Sequence, residues 1–299
     1  MIQGFHGGDT LAALLDDYSV EVTSRDAASV AAEAARMRPG TEVFVANLPK
    51  EGADVLVAAA RTLRQAGLSP VPHIVARNIR GPRELDGMLA RLAAEASVAL
   101  VLGGDRDDPA GPFDAALQLI ETGAFRRAGI RRIAIGCYPE GHARIPAGAL
   151  ARALRDKLAA AADAGLDVLL ISQFAFDPAP VIAFAQNLRR EGIAAPLRIG
   201  VAGPADRARL IKYALRCGVG ASLRVLRERS ELARNVLAGE TPDSLLGAVA
   251  DAAAARPELA IAGAHFFTFG NPAGSIRWAQ DIRDRAAASR PPLRAAAGR

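Results

Sequence analysis

Cysteine is nearly absent from this 299-residue sequence, which contains only Cys137 and Cys217. Two cysteines are too few for a disulfide framework, and no Cys-x-x-Cys or His-x-x-x-His spacing exists that would hold zinc. We therefore expect no metal site and a reducing, cytoplasmic location for this chain.

Long hydrophobic runs are also missing, because no apolar stretch reaches the roughly 18 residues that a membrane span requires. The N-terminal segment has neither a basic start nor a long apolar core, so we expect no secretion signal and no membrane partner. The net charge of +5 comes mostly from arginines that are spread along helical segments. This pattern favours solvated helix faces, allows an anionic ligand and argues against a nucleic-acid surface.

Aromatic residues make up only 5% of the chain, whereas 51% of the residues are hydrophobic and alanine is abundant. This composition provides a large aliphatic core. The length fits the roughly 250 residues of a closed (β/α)8 barrel with extensions, so one large domain is as natural as two.

Short apolar runs alternate with helical patterns along the whole chain. Eight strands are predicted, each followed by a helix: Tyr18–Thr23, Glu42–Leu48, Pro70–Val75, Val98–Leu102, Arg132–Tyr138, Asp167–Phe174, Leu197–Ala202 and Leu259–Phe269. With no composition break between the units, the pattern predicts a single α/β domain, a (β/α)8 TIM barrel with parallel strands.

The domain boundaries follow from the same pattern. Residues 1–17 are interpreted as an N-terminal lead-in, loose to Asp9 and then a short helix from Thr10. The barrel is predicted over residues 18–288, with an extra helical segment after strand seven. Residues 289–299 have no apolar period and are predicted to be a disordered tail.

The chain is organised around the stretch SVALVLGGDRDDP, from Ser97 to Pro109. Its apolar run predicts a strand buried on both faces. Gly103 and Gly104 then allow a sharp turn and a close ligand approach, and Asp105 follows at the carboxyl end of the strand, where α/β proteins bind ligands. A plain strand-to-loop turn remains an open alternative.

The carboxyl ends of the other predicted strands are rich in polar residues as well. They carry Glu21, Asn47, His73, Tyr138, Glu140, His142, Gln173, Asp177, His265 and Thr268. Burial in the barrel mouth is expected to raise the pKa of Glu21 and make it a proton donor, although a structural carboxylate paired with an arginine is an equal alternative. Gln173 suits hydrogen bonding to an amide-like heterocycle, while His73 and His142 are also compatible with a scaffold role.

Six of these segments together resemble the methylenetetrahydrofolate reductase family of flavin-dependent barrels, from about Tyr18 to about Asn271. The matching segments stand in the family's order: SVEVTSR, PHIV, VLGGD, CYPEGH, DAGLDVLLISQFAFD and AHFFTF. The segment CYPEGH is nearly the family's tyrosine-proline-glutamate-x-histidine signature. No dinucleotide or phosphate-loop glycine fingerprint follows a strand at the correct spacing.

The resemblance implies a role for each matching residue. Glu21 would be the general acid that assists opening of the folate's five-membered ring, and Asp105 would lie between flavin and pterin. Gln173, Tyr213 and Asn47 would contact the substrate. The flavin, FAD, would be lined or held by His73, Gly103, Gly104, Asp105, Tyr138, His142 and Lys157. NADH or NADPH could supply or accept electrons.

Three positions depart from the family pattern. Gly103 stands where an arginine is expected near the flavin, and Arg77 or Arg106 could compensate. Gly270 and Asn271 replace the Asn-Arg pair that follows the last strand, so this sequence departs from the family at one expected contact to the folate's glutamate tail. Lys157 lies about one turn before the alanines that occupy the family's lysine position.

The resemblance predicts a flavin-dependent oxidoreductase of one-carbon metabolism that interconverts 5,10-methylene- and 5-methyltetrahydrofolate. The alternative is a non-redox barrel that binds folate or carries its methyl group. A lyase that acts through a strand-end lysine ranks last, because Lys50, Lys157 and Lys212 fall on predicted loops or helices. The expected partner is a small folate, and association into a homo-oligomer stays open.

Overall fold

Eight parallel strands form a closed barrel in a computed structural model that describes residues 6–48, 51–204 and 242–289. Each strand pairs with the next one along the chain, and the last strand returns to pair with the first. The strands are β1 (Ser19–Thr23), β2 (Glu42–Ala46), β3 (Ser69–Val75), β4 (Val98–Leu102), β5 (Arg132–Cys137), β6 (Asp167–Ser172), β7 (Leu197–Ala202) and β8 (Ile261–Phe267). The predicted (β/α)8 TIM barrel is confirmed.

Helices surround the barrel and cover its apolar outer face. Within the described residues they are α1 (His6–Leu14), α2 (Ala27–Ala32), α3 (Ala53–Gln65), α4 (Pro82–Leu92), α5 (Ala116–Glu121), α6 (Ala124–Arg127), α7 (Ala147–Asp163), α8 (Pro178–Arg190), α9 (Asp243–Ala255) and α10 (Pro272–Ser289). None of them is both long and apolar enough to cross a lipid bilayer.

The strands read as nearly continuous apolar runs because both of their faces are buried, as in other parallel sheets. Side chains that point outward pack with the helices in one large core. The barrel interior holds a second, smaller apolar cluster, the barrel plug, which consists of Phe44, Val71, Val98, Leu100, Ala134, Leu169 and Ile171. The plug separates a polar cluster at the carboxyl ends of the strands from another at their amino ends.

The strand predictions agree closely with the structure, and Val98–Leu102 and Leu197–Ala202 have the predicted bounds. The first helix differs, because it begins at His6 rather than at Thr10. It packs against α9 and α10, with Leu11 and Leu14 buried, so tertiary contacts stabilise a segment that its glycines disfavour.

The extra helical segment after β7 is described only in part. Helix α9 corresponds to its second half, while the helix predicted over 206–216 lies outside the described residues. At the C-terminus α10 extends to Ser289, the first residue of the predicted tail, and residues 290–299 also lie outside the described part.

Candidate functional site

Glu21 projects into the barrel from β1, where its side chain remains 23% exposed. Two imidazoles approach the same carboxylate oxygen. His73 Nε2, on β3, lies 3.4 Å from Glu21 Oε2, and His265 Nε2, on β8, lies 3.5 Å from it. We call Glu21, His73 and His265 the acid group, because the barrel brings one carboxylate between two titratable rings.

Ser19 completes the surroundings of His265. Its hydroxyl lies 2.9 Å from His265 Nδ1, and both side chains are fully buried. When the hydroxyl donates to Nδ1, the proton of the neutral ring resides on Nε2, which faces Glu21. Ser19 and Glu21 share one face of β1 because residues two apart in a strand point the same way. The His265 ring therefore lies between the Ser19 hydroxyl and the Glu21 carboxylate, with one ring nitrogen facing each.

Phe44, a member of the barrel plug, packs against both imidazoles of the acid group. The Phe44 ring is fully buried, with its centroid 4.6 Å from that of His265 and 6.4 Å from that of His73. On the other side, the Thr268 hydroxyl donates a hydrogen bond of 2.7 Å to the backbone oxygen of Glu21. This bond fastens the end of β8 to β1 and holds the acid group in register.

Burial and proximity shift the pKa of every member of the acid group. Burial alone would raise the pKa of Glu21, but the adjacent His73 and His265 lower it below its ordinary value. Burial lowers the pKa of both histidines, although Glu21 partly offsets this effect. The expected rise in the pKa of Glu21 is therefore wrong, because strand neighbours invisible in the local sequence stabilise the carboxylate. At neutral pH the resting group holds an anionic carboxylate between neutral rings.

The turn after β4 lies at the same face of the barrel as Glu21. Gly104 has a φ of +101°, and a Cβ there would lie 2.5 Å from the Val75 side chain on β3, so only glycine fits. Asp105 is exposed and close enough to His142 to raise the pKa of that ring, against the larger lowering effect of burial. The Tyr138 ring contacts His142 edge to face, with centroids 5.3 Å apart. The residues assigned to the flavin ring therefore follow adjacent strands.

Gln173 follows β6 at this face and is half-buried. Its Oε1 accepts a hydrogen bond of 3.0 Å from the backbone N–H of Phe174, which directs its donor group elsewhere. The next residue belongs to an aromatic cluster, in which Phe174 is in edge contact with Phe176, Phe267 and Phe269. Phe267 also contacts the His265 ring at 5.0 Å between centroids. The barrel mouth thus has an apolar wall beside the acid group.

Of the basic residues considered for the flavin, the two arginines form hydrogen bonds within the protein. Arg77 donates to the backbone oxygens of Asp114 and Arg106, and Arg106 donates to that of Asp108. Lys157 is half-buried near Cys137, and burial lowers its pKa. Burial also raises the pKa of the free Cys137 thiol to about 12, which leaves it inert. The two arginines thereby connect the loops that follow β3 and β4.

Two carboxylates, Glu140 and Asp177, lie close together in the loops after β5 and β6. Glu140 accepts hydrogen bonds from the backbone N–H groups of Phe176 and Asp177. Burial and the nearby Asp177 carboxylate nevertheless raise the pKa of Glu140 to about 7. Glu140 therefore titrates near neutral pH at the barrel mouth.

The opposite end of the barrel is closed by an ionic network. Glu42, on β2, pairs with Arg132 and Arg198, and Arg198 also donates to Asp17 at 2.8 Å. A cavity of about 510 Å³ opens beside Glu42 and Arg132, with Arg64 and Glu95 in its wall. Since these charges are already paired, and since barrel enzymes react at the carboxyl ends of their strands, we place the functional site at the other face.

The structure therefore unites part of the predicted site. It brings His73 to Glu21 and places Gln173, Asp105, Tyr138 and His142 at the same face. Asn47 follows the end of β2 at this face, while Tyr213 and Cys217 lie outside the described residues. Among the described residues, no group of three or more His, Cys, Asp or Glu side chains is arranged to hold a metal ion.

The sequence analysis did not identify three residues that surround Glu21, namely Ser19, His265 and Phe44. The available signal was the polar pattern within apolar strands: Ser19 and Glu21 alternate on β1, and His265 interrupts β8. Their pairing depends on barrel closure, which aligns Ser19 with His265.

No protein-family model matches this chain. Among solved structures it is similar to a Clostridium thermocellum protein that binds two copies of 5-methyl-5,6,7,8-tetrahydrofolic acid, with a TM-score of 0.54 and 11% identity over 93% of this chain and 98% of that one. It is also similar to Thermus thermophilus dihydropteroate synthase, with a TM-score of 0.50 and 14% identity over 90% of this chain and 93% of that one. Oxaloacetate acetylhydrolase in complex with oxalate gives a TM-score of 0.50 and 13% identity over 96% of this chain and 90% of that one. At these identities the likeness establishes the shared barrel fold.

Proposed function

We propose that this chain is a flavin-dependent oxidoreductase that interconverts 5,10-methylene- and 5-methyltetrahydrofolate in one-carbon metabolism. The observation that carries the proposal is a half-buried carboxylate, Glu21, backed by His265 and Ser19 at the ligand-binding end of the barrel. Two structural relatives add support, because one binds 5-methyltetrahydrofolate and the other is a dihydropteroate synthase.

The acid group has a defined task in this reaction. Opening the five-membered ring of methylenetetrahydrofolate requires a proton on the departing amine nitrogen. The Glu21 carboxylate is anionic at rest, so the acid group must first take up a proton. The three coupled side chains share this proton, and Glu21 then delivers it to the nitrogen. In the reverse direction Glu21 accepts the proton from that nitrogen. Phe44 of the barrel plug covers the inner side of the His265 ring, away from the barrel mouth.

The folate would be positioned at the barrel mouth. With Gln173 Oε1 occupied by the Phe174 N–H, the Gln173 amide nitrogen is the group that donates to an acceptor on the pterin edge. Phe267 offers an aromatic surface next to His265 for a planar ring. Together these side chains would hold the reacting carbon and nitrogen near Glu21.

The residues at the barrel mouth suit the isoalloxazine ring of FAD better than they suit its phosphates. The Gly103–Gly104 turn, Asp105, Tyr138 and His142 form one side of the mouth, and these residues, with His73, would hold the isoalloxazine. Arg77 and Arg106 donate hydrogen bonds to backbone oxygens within the chain, and burial lowers the pKa of Lys157. The flavin, when bound, supplies the hydride chemistry that side chains lack. NADH or NADPH is the proposed electron partner.

Arg77 and Arg106 already donate hydrogen bonds within the chain, which leaves fewer groups to hold a flavin. This favours a second candidate function, a folate-binding or methyl-carrier barrel without a redox step. In that case Gln173 and the aromatic wall would bind a reduced folate, and no flavin would be needed. The cytoplasmic location is part of both proposals, consistent with the free buried thiol of Cys137.

Two measurements on the purified chain separate these functions. Titration with FAD, followed by anaerobic addition of NADH, NADPH and 5-methyltetrahydrofolate in turn, tests redox chemistry by bleaching of the flavin absorbance. Calorimetric titration of the flavin-free chain with 5-methyltetrahydrofolate tests folate binding alone. Flavin binding with bleaching by the folate supports the oxidoreductase, and folate binding without flavin uptake supports the second function. Absence of both overturns the folate assignment.

A further inference from the structure

His73 has a contact that a role in flavin binding does not explain. Its Nε2 faces Glu21 Oε2 at 3.4 Å, and within the described residues this buried nitrogen has no hydrogen-bond partner. His265 Nε2 is in the same position on the other side, at 3.5 Å and also without a partner. Two buried imidazole nitrogens therefore share a single carboxylate oxygen.

The two imidazoles are not equivalent, because only His265 has its ring orientation fixed by Ser19. The Ser19 contact to His265 Nδ1 assigns the Nε2–H form to that ring when the hydroxyl donates. For His73 the nearest charged group is Glu21. A buried polar nitrogen without a partner is costly, so both rings gain by donating toward the carboxylate.

The surroundings make a separate positive charge on either imidazole expensive. His73 is 5% exposed and His265 is fully buried, and Phe44 from β2 packs against both rings. Arg198 from β7 adds a positive field that disfavours a charged His265. One added proton neutralises the group, whereas a proton held by either imidazole alone would create a separated ion pair. The proton is therefore most stable when it is shared among the three side chains.

We propose that His73 is a second positioning residue for Glu21, and that Glu21, His73 and His265 hold the transferable proton as one unit. The assignment of a catalytic acid rests on the proposed function. The coupling between His73 and Glu21 does not, because it is a property of the folded chain alone. The two parts are therefore tested by different measurements.

The coupling is measured by NMR on the ligand-free protein with isotope-labelled histidine. The chain contains four histidines, so the imidazole nitrogens give few signals. Replacing Glu21 by Gln should shift the Nε2 signals of His73 and His265 and lower the pH at which both rings titrate. His142, whose charged neighbours are Arg144 and Asp105, serves as an internal control that should not move. An unchanged His73 signal in Glu21→Gln would overturn the proposal.

The catalytic part is measured through the pH dependence of folate turnover. His73→Leu removes the donor at similar volume, so the pKa of Glu21 should rise and the alkaline limb of the profile should move up by about one to two pH units. His73→Gln restores a donor that cannot titrate and should shift the limb less. An unshifted limb with weakened flavin binding would overturn the proposal in favour of a flavin contact. If the wild-type chain has no folate turnover, the proposed function fails while the NMR result still decides the coupling.

Discussion

Two glutamates on adjacent strands occupy opposite ends of the same barrel, and their partners give them different properties. Glu42 at the amino-terminal face is paired with Arg132 and Arg198, which stay protonated at any physiological pH. Glu21 at the carboxyl-terminal face lies between His73 and His265, whose rings can gain or lose a proton and whose pKa values are lowered by burial. The barrel plug separates the two sites. The comparison teaches that the partner, rather than burial, distinguishes the two carboxylates. Glu42 is held in fixed ion pairs, whereas Glu21 lies beside rings that can take up a proton.

The largest expected effect separates the two carboxylates by activity. Glu21→Gln keeps the size of the side chain and removes the transferable proton, so folate turnover should fall by about 10²- to 10⁴-fold. Reduction of bound flavin by NADH or NADPH should be retained, because it needs no proton from Glu21. Steady-state and stopped-flow absorbance measure the two steps, and unaltered folate turnover would remove Glu21 from its role.

The corresponding change at the other face should affect stability. Glu42→Gln leaves the buried guanidinium of Arg198 without its main counter-charge, so the free energy of unfolding should fall by about 3–5 kcal/mol. Denaturant unfolding measures this loss. The double variant Glu42→Leu with Arg198→Met is the control, since removing both charges should recover much of the stability. A Glu42→Gln variant as stable as the wild type would contradict a structural role for the network.

Two neighbouring glycines provide a smaller, matched test at the carboxyl-terminal face. Gly104→Ala places a side chain on a residue with a positive φ and against Val75. The free energy of unfolding should therefore fall by about 1–3 kcal/mol relative to the wild type. At Gly103 an added Cβ would meet only ordinary contacts, with the nearest atom 3.7 Å away. Gly103→Ala should therefore change the unfolding free energy by less than about 1 kcal/mol. Equal losses in the two variants would show that the turn is not fixed by the φ of Gly104.

The last prediction concerns the pH dependence of stability. The pKa of Glu140 is raised from 4.5 to about 7, so its protonated form stabilises the fold below pH 4.5 and this contribution is lost as the pH rises through about 7. The wild type should lose melting temperature relative to Glu140→Gln over this window. Thermal unfolding at several pH values measures the difference, and parallel curves would show that the Glu140 pKa is not shifted by folding.

Much of the fold could be predicted from the sequence because each strand is a short apolar run with its own turn residues. Val98–Leu102 followed by Gly103 and Gly104 is the clearest example, since both the strand and the turn are local features. Helix α1 was partly missed because its glycines disfavour a helix, and contacts with α9 and α10 compensate. Local propensity is reliable where distant contacts do not override it.

The candidate site was predictable only in its parts. Glu21 is conspicuous because it interrupts an apolar strand, and the same holds for His73. The contact between Glu21 and His265, 244 positions later in the chain, requires barrel closure between β1 and β8. The direction of the Glu21 pKa shift could not be predicted, because it reverses once two imidazoles are placed beside the carboxylate.

The most direct test of the account is a single anaerobic half-reaction. The chain is loaded with FAD and mixed with 5-methyltetrahydrofolate, and the flavin absorbance is followed for the wild type and for Glu21→Gln, with dithionite as a reductant that does not depend on Glu21. The account predicts rapid bleaching in the wild type, bleaching slowed at least about 100-fold in Glu21→Gln, and full reduction of both by dithionite. Equal bleaching of the two proteins by the folate, or none in a flavin-loaded wild type, would contradict it.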